Sequence, residues 1–271
     1  MISRFKRLLI PFLVWSTIYS FINIIINKED FNLFRYVVKL ILGLSSGQLY
    51  YILVLIQFTL LAPLLIKAME CNKCNKIILS ITPFYFVILY IYVFLFEKQI
   101  YFYQTLFPPR LIYFYLGIWV SIKGFPIKIS NRYYSSVSIF LFALVFSIFK
   151  TYLIKSLGSP IGFASSQIKI SSLILSLAFL NLVFTVKENY METNEHRILK
   201  YIGDNSYGIF YVHMIWIPIS NKILPIISSL DNILPIFQLL QVLLTIIFSI
   251  LSIYIIKKLV GNNFANKFFG F

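Results

Sequence analysis

Residues 233–256 read ILPIFQLLQVLLTIIFSILSIYII, twenty-four positions without a charge, and Lys257 and Lys258 follow at once. A helix needs about 20 mostly apolar residues to cross the hydrocarbon core of a bilayer. This run is long enough, and its continuity separates it from a barrel strand, where apolar and polar residues alternate. Seven further stretches share its character: Leu8–Ile26, Leu49–Ile66, Ile77–Phe96, Leu106–Ile122, Val137–Ile154, Ser171–Val186 and Tyr207–Leu224. Leu33–Leu44 is apolar but too short, and reads as an interfacial or re-entrant helix. No polar stretch between them could form a separate soluble domain. The expected fold is all-α: one polytopic membrane helix bundle over residues 1–271, with about eight transmembrane helices.

Composition points the same way. The chain is 59% hydrophobic and 12% charged, with a mean hydropathy of +0.85. Soluble domains are about half apolar and a quarter charged, and disorder requires low hydrophobicity with high charge, so both classes are excluded. The net charge of +15 could indicate nucleic acid, but a nucleic-acid binder gathers its cations on one face. Here they sit in small groups between apolar runs, which identifies the lipid bilayer as the partner and argues against nucleic acid.

The placement of those cations also predicts orientation. With the N-terminus inside, fifteen of the 24 Lys and Arg residues fall in inner segments, among them Arg4, Lys6, Arg7, Lys73, Lys76, Arg132, Arg197 and Lys257. An excess of Lys and Arg marks the cytoplasmic side, so both termini are expected to be cytoplasmic. The first run does not read as a cleavable signal peptide: it is too long, Pro11 and Trp15 interrupt it, and no small-residue cleavage site follows.

Chemistry has few places to reside. Arg4 and Arg7 are three apart and share a helix face at the inner mouth of the first span. Two guanidiniums there can hold phosphates by charge-assisted, often bidentate, hydrogen bonds; the plainer alternative is contact with lipid headgroups. His213, in the stretch Asn205-Ser206-Tyr207-Gly208-Ile209-Phe210-Tyr211-Val212-His213, falls on the order of 10–12 Å along its helix. An imidazole at that depth can act as a general base or simply hydrogen-bond a neighbouring helix. Arg110 follows Phe107-Pro108-Pro109 at an outer helix start, where it can meet an anionic acceptor or snorkel to headgroups. His196 sits in a charged loop and reads as solvated surface. Cys71 and Cys74 form a CxxC, but a zinc site takes four ligands, so they read as two reduced loop thiols. No metal site is expected. A coupled transporter is poorly supported, because acids inside the spans are scarce and no broken helix at the midplane is evident.

Three segments together resemble the acyltransferase 3 family of integral-membrane acyltransferases. Ser3-Arg4-Phe5-Lys6-Arg7-Leu8-Leu9-Ile10-Pro11 resembles its RxxR motif at the start of the third span. Leu49-Tyr50-Tyr51-Ile52-Leu53 through Ala62-Pro63-Leu64-Leu65 is similar to its next span. Ile202 through His213 resembles its S-Y-x-x-Y-x-x-H type signature, with Phe210 at the place of the second tyrosine. Near the middle of the sequence, Tyr113-Phe114-Tyr115-Leu116-Gly117 fits the family's F-x-x-G pattern.

The resemblance implies a multi-pass protein of a bacterial-type cytoplasmic (inner) membrane. It would move an acetyl or other short acyl group from cytoplasmic acyl-CoA, in the first place acetyl-CoA, to a hydroxyl of a cell-envelope sugar or polysaccharide precursor. No tightly bound cofactor is implied. Arg4 and Arg7 become candidates for the CoA phosphates, while His213 as a catalytic base and Arg110 as a substrate contact rest on the reading of the residues alone. The family's first two spans, with an arginine and a histidine in the first, have no counterpart here, so the chain reads as an N-terminally shortened domain. The missing histidine is the family's presumed base, and the family motif gives His213 a mainly structural position. An inactive or truncated remnant and a lipid-linked saccharide flippase or other transporter stay open as alternatives.

Overall fold

The computed structural model describes residues 2–28, 32–98, 100, 103–124, 133–158, 161–164, 166–187, 194–227 and 234–271. In chain order the helices are α1 (Ile2–Asn27), α2 (Leu33–Ile41), α3 (Tyr50–Ala68), α4 (Asn72–Phe96), α5 (Leu111–Lys123), α6 (Tyr133–Ser156), α7 (Ile161–Ala164), α8 (Ile170–Lys187), α9 (Asn194–Asp204), α10 (Ser206–Ile227), α11 (Leu234–Val260) and α12 (Asn262–Phe264). A 3₁₀ turn, Pro108–Arg110, precedes α5, and a π-type turn, Ala265–Phe269, follows α12. Among the described residues there is no strand, as expected for an all-α protein.

Five helices, α1, α3, α4, α6 and α11, are long and apolar enough to cross a membrane. Their outer faces leave large side chains uncovered: Ile25, Leu95, Phe142 and Tyr152 are each at least 70% exposed. Apolar surface on that scale is not left to water, and lipid is the solvent it fits. Helix α8 is apolar but shorter. Helix α10 is long enough, but Asn221, Lys222, Pro218 and Pro225 make it the least uniform of the apolar helices.

The stretch expected to span from Leu106 starts later than its hydropathy implies. Pro108 and Pro109 occupy the 3₁₀ turn, and α5 begins at Leu111. Buried Thr82 of α4 sets that start. Its hydroxyl donates to the Pro108 carbonyl at 2.7 Å and accepts from the Ile112 N–H at 3.1 Å, satisfying a first-turn donor that has no partner within its own helix. At thirteen residues, α5 is about 20 Å long, against a core of about 30 Å.

The short segment expected at the interface does form a helix. Asn32, in extended backbone, accepts the Arg35 N–H on its side chain and caps α2. Leu33, Phe34, Val37 and Ile41 line one side of α2 and are all exposed, as an interfacial helix requires. Tyr36 hydroxyl contacts Thr17 hydroxyl of α1 at 2.8 Å.

The chain divides into two compact units: Met1–Thr59 with Asn194–Phe271, and Leu60–Thr193. In the first, Phe12, Trp15, Tyr19, Leu49, Ile52, Tyr211, Val212, Ile253, Ala265 and Phe271 form the core. Helices α10 and α11 pack along each other, and Gly208 allows their close approach. A Cβ there would lie 2.7 Å from Phe271 Cδ1 and 2.9 Å from Ile253 Cδ1. In the second unit α6 and α8 are joined by hydroxyl and amide groups. Asn181 donates to Ser136 Oγ at 3.0 Å, and Ser136 and Thr185 hydroxyls meet at 3.1 Å. With no water in the hydrocarbon core, such pairs give helices specific neighbours.

Gly208→Val is expected to lower stability by about 1–3 kcal/mol, because the branched side chain must displace Phe271 and Ile253. Thermal unfolding of the detergent-solubilised protein measures this; an unchanged midpoint contradicts the close packing.

Candidate functional site

The first helix shows why two arginines at its beginning matter. Its buried positions recur in pairs four apart: Pro11 and Phe12, Trp15 and Ser16, Tyr19 and Ser20. Extending that stripe one and two turns towards the N-terminus reaches Arg7 with Leu8, and then Arg4. Both arginines are exposed, yet they continue the face that α1 presents to the core of its unit. They stand where that packed face runs out.

Helix α10 supplies the partner surface. The Trp15 ring stacks on Tyr211 at 5.9 Å between centroids and 8° between planes. The Tyr19 hydroxyl donates to the Tyr211 carbonyl at 2.6 Å, and Gln48 Nε2 donates to the same oxygen at 3.4 Å. One turn earlier on α10, the Tyr207 hydroxyl meets that of Tyr211 at 2.9 Å. Tyr207 is also within electrostatic reach of Arg7. Helices α1 and α10 therefore meet in one aromatic cluster, and Arg7, one turn before the buried stripe of α1 begins, acts electrostatically on Tyr207. The turn after α12 closes it from another side, where the Trp15 indole N–H donates to the Phe269 carbonyl at 3.1 Å.

The residues before Tyr207 are fixed by a separate clamp. Asn205 Nδ2 donates to the Tyr201 carbonyl at 2.8 Å, while its Oδ1 accepts from Lys257 Nζ of α11 at 3.0 Å. A lysine near the end of α11 thus secures the junction between α9 and α10.

His213 is not brought to the arginines. It lies six residues beyond Tyr207, about 9 Å further along α10 and about two-thirds of a turn around it. It is half-buried near Phe210, at 6.1 Å between ring centroids. Its Nδ1 lies 3.1 Å from the Ile209 carbonyl. A carbonyl only accepts, so Nδ1 is the donor in this contact, which ties the ring to its own helix.

Arg110 belongs to the other unit. Its guanidinium donates to the Gln104 carbonyl at 2.6 Å and acts electrostatically on Tyr85 and Tyr113. It secures the loop before α5 and lies among phenols. The side chain of His196 in α9 lies outside the described residues. Cys71 and Cys74 are not loop thiols: Cys71 is the N-cap of α4 and Cys74 lies in its first turn. Among the described residues no group of three or more His, Cys, Asp or Glu could hold a metal ion.

The chain matches the family model described as an acyltransferase domain, Acyl_transf_3, over residues 1–257. It belongs to the acyltransferase 3 family. Neither a curated protein nor a solved structure matches it. Family membership and the apolar helices together make it a multi-pass membrane protein. The matched region of this acyltransferase 3 domain contains Arg4, Arg7, Tyr207 and Tyr211.

Sequence reasoning overlooked Trp15, Tyr19, Gln48 and Tyr211 as the connecting residues. A signal was present: Trp15-Ser16 and Tyr19-Ser20 repeat an aromatic-plus-hydroxyl pair at helical spacing within an apolar span. Lys169 gave no such signal. It is 3% exposed, donates to Thr151 Oγ1 and the Ala164 carbonyl, and burial pushes its ammonium pKa down.

Tyr19→Phe removes the donor to Tyr211 without changing the ring. It is expected to cost about 1 kcal/mol, read as a lowered unfolding midpoint in detergent. Equal midpoints for the two proteins contradict the link between α1 and α10.

Proposed function

We propose that this acyltransferase 3 protein transfers an acetyl or other short acyl group from cytoplasmic acyl-CoA to a hydroxyl of a cell-envelope saccharide. The observation that supports it best is the continuation of the buried stripe of α1 into Arg4 and Arg7, with Tyr207 in reach of the latter. Guanidiniums bind phosphate bidentately, and the CoA nucleotide is the phosphate-bearing part of the donor. Holding that remote handle positions the thioester, and positioning supplies a large share of the rate in such reactions.

The acceptor oxygen attacks the thioester carbonyl, its proton passes to a base, and the CoA thiolate leaves and is protonated. His213 is the base in this reading. The oxyanion that forms as the carbonyl is attacked needs N–H or O–H donors, for which backbone amides, a buried tyrosine or an arginine are suited. Arg110 is the cation assigned to an anionic acceptor. Both termini lie on the cytoplasmic side in this scheme, with eight spans of a cytoplasmic membrane between them, which puts Arg4 and Arg7 on the acyl-CoA side.

Arg4→Ala and Arg7→Ala should each weaken acetyl-CoA binding by roughly tenfold or more, measured by titration of the nanodisc-embedded protein. Wild-type affinity in both variants would remove the phosphate-clamp role. His213→Gln should retain acetyl-CoA binding while lowering acetyl transfer to envelope polysaccharide by about a hundredfold or more. Unchanged transfer assigns His213 a structural role. If the wild type binds no acyl-CoA and transfers nothing, the inactive-remnant alternative holds; saccharide translocation without transfer would identify a flippase.

A further inference from the structure

The Cys71-x-x-Cys74 pair lies apart from the acyl-transfer chemistry, and its geometry differs from that of two unrelated thiols. Cys71 caps α4, with φ −110° and ψ 114°, and its Sγ accepts the Cys74 N–H at 3.3 Å. Both residues are half-exposed, so a small reagent has access. Residues three apart on a helix bring their Cβ atoms to about 5–6 Å, slightly beyond the span a disulfide closes. The remaining difference falls on Cys71, whose backbone is extended and whose carbonyl accepts the Asn75 N–H at 3.0 Å, so closure comes from rotation of its side chain away from the Cys74 N–H.

We propose that Cys71 and Cys74 form a redox-active dithiol that closes reversibly to an intrahelical disulfide. Cys71 is the attacking sulfur. As the N-cap of a 25-residue helix, it meets the positive end of the helix dipole. The hydrogen bond with the Cys74 thiol, then the bond from the Cys74 N–H, hold its pKa below the usual thiol value. The ionisable groups beside it in sequence are Glu70, Lys73 and Lys76, so lysine outnumbers glutamate here. On α5, Tyr115 lies within electrostatic reach of Cys74.

The oxidant is a low-molecular-weight disulfide. The Cys71 thiolate attacks one of its sulfurs, forming a mixed disulfide and releasing one thiolate. Cys74, giving its proton to water, then attacks Cys71 Sγ and displaces the second thiolate. The products are the Cys71–Cys74 disulfide and two reduced thiols, and a dithiol reductant reverses the reaction. Closure consumes the sulfur that caps α4. The residue after Cys74 is Asn75, which donates to the Met69 carbonyl at 3.3 Å and accepts from the Tyr115 hydroxyl of α5. The switch is therefore placed next to the polar contact that ties α4 to α5.

The test incubates the full-length protein in nanodiscs with glutathione buffers of graded oxidised-to-reduced ratio, followed by alkylation and peptide mass analysis. The expected product is an intramolecular disulfide in the peptide containing Cys71 and Cys74, lost again on adding dithiothreitol. Cys74→Ser should stop at the mixed disulfide on Cys71. In single-cysteine variants at neutral pH, Cys71 should alkylate at least about tenfold faster than Cys74. Thiols that stay free, accumulation of glutathione adducts on the wild type, or disulfide-linked dimers would each overturn the proposal. Protection of both thiols by one equivalent of zinc ion, without disulfide formation, would also overturn it by assigning the pair to a metal.

Discussion

Trp15 lies flat on Tyr211, and the hydroxyl of Tyr19 reaches the Tyr211 backbone carbonyl one helix away. Within lipid, apolar burial does not drive helices together, because the tails are as apolar as leucine. Association depends on close packing and on polar groups that find each other. This contact supplies both. It combines a stacked aromatic pair with a hydrogen bond to an oxygen already committed to its own helix, using the second lone pair. Gln48 reaches the same oxygen from just before α3, so the rotation of α10 about its axis is set from two directions.

The placement of the groups at this end of α10 follows from that rotation. With Tyr211 turned towards α1, Tyr207 one turn earlier faces the same way and comes within reach of Arg7. His213 is turned elsewhere, towards Phe210. The geometry thus separates the Tyr207 end of α10 from an imidazole further along the helix.

Much of the fold was legible in the sequence because hydropathy reports directly on the solvent of each segment. The uncharged run of 233–256, the short apolar piece at 33–44 and the helical character of the described residues all came from that signal. The start of α5 did not. Hydropathy counts the apolar residues from Leu106, but Pro108 and Pro109 resist regular helix, and the distant Thr82 hydroxyl determines where the first N–H is satisfied. The arginine pair was legible because three-residue spacing implies a shared face. Its neighbours were not, since Trp15, Tyr19 and Tyr211 look like ordinary aromatic filling until the rotations of two helices are known. Cys71 was misplaced in a loop because a cysteine at an N-cap carries no conventional capping signal.

By itself, the sequence determined the environment: lipid-facing helices, a family signature and the positions of the few charges. These depend on the local period and composition of each segment. The tertiary structure alone decided which groups act together: Trp15 and Tyr19 with Tyr211, Asn205 with Lys257, and Asn75 with Tyr115. Each of these pairings depends on the relative rotation and axial offset of separate helices. Those are determined by steric packing and by the need to satisfy every polar group excluded from water, and no local pattern encodes either.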